Sequence, residues 1–80
     1  MEIEAVAALI RAGMPGAEVT VTGDGRHFET VVVSPEFEGK SLIERHRLVM
    51  ATVTAEIRSD ALHALSIKAY TPQQQAAQNG

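Results

Sequence analysis

The stretch Ala17-Glu18-Val19-Thr20-Val21-Thr22-Gly23-Asp24-Gly25-Arg26-His27-Phe28-Glu29-Thr30-Val31-Val32-Val33-Ser34 decides the fold. Its first part alternates, with Val19 and Val21 on one side and Glu18, Thr20 and Thr22 on the other, which is the period of a half-buried strand. Phe28 to Ser34 is denser, with three valines in a row, and predicts a central strand buried on both sides. Gly23-Asp24-Gly25 predicts a tight hairpin between them, because Asp-Gly supplies the positive φ angles such a turn needs.

Upstream, Glu2 to Ala12 predicts a helix. Ile3, Val6, Ala7, Leu9 and Ile10 gather on one face, Gly13 is suited to the C-cap, and Pro15-Gly16 stops continuation. Downstream, Ser34-Pro35 ends the second strand, and Phe37-Glu38-Gly39-Lys40 is a loop. Ser41-Leu42-Ile43-Glu44 matches a capping box, in which Ser41 and Glu44 each satisfy the other's main-chain N–H. The helix it opens runs to about Arg58. Its periodicity turns Leu42, His46, Val49, Met50, Val53 and Ile57 inward and Arg45, Arg47, Thr52 and Glu56 outward. The β-branched run from Val49 to Thr54 predicts a bend or a break. Leu62 to Tyr70 alternates and reads as a third strand. Thr71-Pro72 can cap one last helical turn, with a polar, frayed tail beyond it.

The order is therefore α-β-β-α-β, an α+β fold with helices packed on one face of a three-stranded mixed sheet. It is similar to the second topological class of KH domain. One domain is expected over residues 1–72, with a tail over 73–80. The helical crossover makes the second and third strands parallel, with right-handed connection. His27 and His63, at the starts of those strands, then fall at the same end of the sheet.

Composition narrows the chemistry. The 80 residues include no cysteine, so the chain has no disulfide, thiolate metal site or thiol nucleophile of its own. The acidic N-terminal Met1-Glu2-Ile3-Glu4 leads into no long apolar run, so neither a secretory signal nor a membrane span is read, and a cytoplasmic address is expected. A net charge of −3 does not favour broad attraction to nucleic acid or anionic membrane. No Ser-His-Asp order, phosphate-binding loop or paired-carboxylate pocket stands out, so no enzyme activity is expected.

A lone histidine is ordinarily a surface or hydrogen-bonded structural residue. The parallel pairing gives His27 and His63 a further possibility, a metal held between them, with Asp24 as a spare oxygen ligand on the same turn. Two imidazoles do not complete a tetrahedral site, so a partner bringing thiolates would make chemical sense. His46 reads as a half-buried helix residue. Lys40, Arg45, Arg47 and Arg58 form a basic group suited to nucleic acid, although Glu36, Glu38, Glu44 and Glu56 balance it. The Gly-X-X-Gly clamp of KH domains is missing.

Gly23-Asp24-Gly25-Arg26-His27-Phe28, Val31-Val32-Val33-Ser34, Phe37-Glu38-Gly39-Lys40-Ser41-Leu42, Arg45-His46-Arg47-Leu48-Val49 and His63-Ala64-Leu65-Ser66-Ile67-Lys68-Ala69-Tyr70-Thr71-Pro72 together resemble the BolA family, in its order and spacing over nearly the whole chain. The resemblance implies the KH-like fold and a monothiol glutaredoxin of the Cys-Gly-Phe-Ser type as partner. The two proteins would share a [2Fe-2S] cluster, with the glutaredoxin and a bound glutathione giving thiolates. Carried over, the invariant family ligand falls on His63 and the variable loop ligand on His27. Alone, the protein would be a monomer or weak homodimer. The family's link to transcription implies a second role, DNA binding in stress or cell-shape control through Lys40, Arg45 and Arg47.

Overall fold

The computed structural model describes residues 1–62 and 64–79. Its elements are α1 (Ile3–Gly13), β1 (Glu18–Gly23), β2 (His27–Val33), a 3-10 turn (Pro35–Phe37), α2 (Leu42–Ala51), α3 (Thr54–Arg58), β3 (Ala64–Tyr70) and α4 (Pro72–Asn79). The sheet has the order β1-β2-β3, antiparallel across the hairpin and parallel across the helical crossover. Val19, Val21, Phe28, Val32 and Ala69 bury one face of it against Val6 and Ile10 of α1 and Val49 and Val53 of the α2–α3 region. The other face carries the exposed Glu18, Thr20, Thr22, Glu29, Ser66 and Lys68. β2 is thus central but not buried on both sides: Glu29 is exposed and Val31 half-buried, because among the described residues no second helical layer lies over it.

Phe28 and Phe37 are the largest fully enclosed side chains, and truncating either to alanine removes about 3–5 kcal/mol of stability. The helix after the capping box divides as its threonines and valines suggest. Thr52 Oγ1 donates to Val49 O at 2.6 Å, Thr54 Oγ1 donates to Met50 O at 3.0 Å, and Val53 leaves helical geometry between them. Gly13 belongs to α1, and Met14, whose N–H reaches Ile10 O at 2.8 Å, caps it instead. A Cβ on Gly13 would stand 2.5 Å from Thr52 Cγ2. Glycine here lets the end of α1 touch the α2–α3 break.

Two further expectations are corrected. The inward stripe of α2 is Arg45, Val49 and then Val53, not the one through Leu42 and His46. Leu42 is 67% exposed and His46 is exposed, whereas Arg45 is 7% exposed. A long arginine stem fills core space when its guanidinium finds acceptors, so hydropathy alone rotates the helix the wrong way. Arg45 Nε donates to Lys40 O at 3.0 Å, Nη1 to Ala69 O at 3.1 Å and to Gln74 Oε1 at 2.8 Å. The Phe37 ring lies below the guanidinium, 5.8 Å from centroid to Cζ.

The second correction concerns the C-terminal segment, a helix through Asn79 rather than one turn and a frayed tail. Thr71 and Gln74 close a reciprocal cap: Thr71 N–H donates to Gln74 Oε1 at 2.9 Å, and Gln74 N–H donates to Thr71 Oγ1 at 3.1 Å. Because Gln74 Oε1 also accepts from Arg45, the cap is tied to α2.

Candidate functional site

The hairpin end of the sheet is built around one carboxylate. Asp24 Oδ1 accepts the N–H groups of Arg26 and His27, each at 2.9 Å, while Asp24 N–H donates to His27 O at 3.2 Å. Gly25 takes the left-handed conformation that the turn requires, at φ 98°. Those two main-chain donors, with the nearby His27 ring, hold the Asp24 carboxyl below the usual carboxylate range. Asp24 therefore has a structural task first, and only Oδ2 remains directed to other partners.

His27 begins β2 and shares the open face of the sheet with Glu29, two residues on. Its side chain is 75% exposed, and its Nδ1 lies 3.8 Å from Asp24 Oδ2. The contact is too long to be a hydrogen bond, so it leaves the exposed ring loosely held. In the parallel register His27 stands opposite Ala64, at the level where β3 begins. His63, the other histidine read as a ligand, lies outside the described residues. Among the described residues, no three His, Asp or Glu side chains gather into a metal-binding group.

The basic group separates. Arg47 is exposed and Lys40 half-buried, but Arg45 is turned into the protein and its donors hold main-chain and amide oxygens. Arg45 is corrected from a surface contact to an internal brace. Its position four residues after Ser41 and four before Val49 was the available signal, since that spacing continues the stripe to Val53. His46, read as half-buried, is exposed. Glu44, whose carboxyl takes the Ser41 N–H at 3.0 Å, is held below its usual pKa by that bond and by the Ser41 hydroxyl. Its charge belongs to the capping box. Among the described residues, no helix is long and apolar enough to cross a membrane.

Comparison with known proteins gives the same organisation. The chain is 35% identical over 72 residues to the acid stress protein IbaG of Escherichia coli K12, covering 90% of this chain and 86% of that one. A BolA homologue from Coxiella burnetii superposes with a TM-score of 0.86 at 39% identity, covering 95% of this chain and 97% of its own. The BolA domain of SufE1 from Arabidopsis thaliana gives a TM-score of 0.77 at 33% identity, over 89% and 92% of the two chains. The family model described as BolA-like protein matches residues 7–74. The chain belongs to the BolA-like family.

Proposed function

We propose that this protein is an adaptor in iron–sulfur trafficking or iron homeostasis. It docks a monothiol glutaredoxin and lends histidine ligands to a [2Fe-2S] cluster shared between the two chains. The observation that carries the reading is the parallel β2–β3 register, which pairs His27 with Ala64, the residue that follows His63 in sequence. An exposed imidazole that no protein group holds tightly suits a ligand presented to a partner. The cysteine-free sequence fits the same division of labour, since the thiolates would come from the glutaredoxin and its glutathione.

In this reading Asp24 positions the loop and His27 offers a neutral nitrogen, the form in which imidazole binds metal. Protonation of the histidines competes with ligation, so mild acid favours release. Histidine in place of thiolate raises a cluster's potential, which suits sensing or delivery better than low-potential electron transfer. The name of the IbaG relative connects that protein to acid stress, and a histidine-dependent complex is one way to respond to acid.

The test mixes the protein with a cluster-loaded monothiol glutaredoxin and records visible circular dichroism. His63→Ala should abolish the heterocomplex spectrum. His27→Ala should alter it less completely, because water or a neighbouring group can replace a loop ligand. An unchanged spectrum and complex stability for His63→Ala would sink the proposal.

A further inference from the structure

We infer that Asp24-Gly25 is a self-modification site, at which aspartate converts to isoaspartate, and that the hairpin's own hydrogen bonds are the lock on that reaction. The chemistry needs no enzyme. The Gly25 nitrogen attacks Asp24 Cγ, the carboxyl hydroxyl leaves with the nitrogen's proton as one water, and a succinimide ring closes. Water then opens the ring at either carbonyl. One opening restores aspartate. The other gives isoaspartate, in which the main chain runs through the former side chain.

Three features of the turn favour the attack. Glycine follows the aspartate, so no side chain shields the nitrogen, and a Cβ built on Gly25 would meet nothing within 4 Å. The Gly25 N–H has no hydrogen-bond partner among the described residues. The Asp24 side chain is 71% exposed, so water reaches the ring once it has formed. The other aspartate, Asp60, precedes Ala61, whose methyl group crowds the same attack.

Two features hold the reaction back. The N–H groups of Arg26 and His27 engage Oδ1 and pin the carboxyl beyond Gly25. The same bonds favour the carboxylate over the acid, and only the acid has a good leaving group. Cyclisation therefore proceeds from the turn with both bonds open, at a rate that follows the population of that open form. The product does not restore the lock. Isoaspartate lengthens the main chain by one carbon and shortens the arm of the carboxylate, so the acceptor is displaced from its two donors. The damage strikes the loop that carries His27, and it requires neither metal nor partner.

Gly23 offers a way to loosen the lock from outside the reacting pair. A Cβ there would stand 2.5 Å from His27 O and 2.9 Å from Phe28 Cδ1. Gly23→Ala must therefore disturb the closing bond from Asp24 N–H to His27 O while leaving Asp24-Gly25 intact.

The experiment ages the protein at neutral pH and maps its peptides by mass spectrometry. Isoaspartate is identified by methyl transfer from S-adenosylmethionine, catalysed by an isoaspartyl methyltransferase. Mapping separates Asp24 from Asn79-Gly80, a second pair prone to the same ring closure. Isoaspartate at Asp24 should form at least about tenfold more slowly in the folded protein than in guanidinium chloride. Gly23→Ala, shown to be folded by circular dichroism, should form it at least about threefold faster than wild type. No isoaspartate at Asp24 in the denaturant, or equal rates in the folded and unfolded chains, would overturn the proposal. So would a wild-type rate in folded Gly23→Ala. If that variant does not fold, the folded-to-unfolded ratio of the wild type decides alone.

Discussion

The two ends of the sheet are stabilised by opposite means. At the hairpin end an exposed carboxylate, Asp24, accepts two main-chain N–H groups, and the side chains around it remain in water. At the other end a buried guanidinium, Arg45, donates to Lys40 O, Ala69 O and Gln74 Oε1. No carboxylate among the described residues pairs with it. A buried cation must be fully satisfied or it is costly, whereas an exposed turn can lose a bond to water and survive. The difference separates the two ends: one holds the α2–β3–α4 junction together, and the other leaves the His27 side chain exposed.

The largest effect should come from the buried end. Arg45→Ala removes the brace and leaves Ala69 O without its donor, so it should lower unfolding free energy by about 2–4 kcal/mol in urea titration. Arg45→Lys should recover only part of this, because one ammonium cannot replace the guanidinium fork. A loss below about 0.5 kcal/mol would make the brace ornamental and erase the contrast.

Gln74→Ala comes next, at about 1–2 kcal/mol, since it deletes the α4 cap and one acceptor of Arg45 together. Hydrogen exchange should quicken across α4 first, and uniform quickening across the whole chain would show instead that α4 does not open separately.

How far the sequence could be read follows the same division. The hairpin, the capping box and the helix break were legible because each is written in neighbouring residues. The parallel register was legible because the handed crossover leaves little choice. The inward face of α2 and the extent of α4 were not. Both hinge on Arg45 meeting groups 24 and 29 residues away, and a periodicity that counts arginine as polar turns it outward. The candidate site was readable at His27 for its place at the start of β2, but the prior engagement of Asp24 depends on turn geometry.

At the hairpin end, effects should be smaller and local. The lowered Asp24 pKa means that its ionised form is favoured in the folded turn. Its contribution is present above the ordinary aspartate value of 3.8 and is lost as pH falls through the lowered value. Amide NMR signals of Arg26 and His27 should titrate together below 3.8, and Asp24→Asn should abolish that transition. A midpoint above 3.8 would contradict the bonding described. Smallest of all, His27→Ala should change unfolding free energy by no more than about 0.5 kcal/mol, measured in the same titration as Arg45→Ala. A larger loss would mean that the ring is part of the scaffold.

The hairpin bonds bear on how position 27 can change over time. The turn is written by the Asp24 carboxylate, the Gly25 backbone and the peptide N–H of residue 27, and every amino acid except proline brings that N–H. The side chain at 27 is therefore interchangeable hardware on a fixed mount. A lineage can change the side chain it displays at this corner of the sheet without redrawing the loop that carries it.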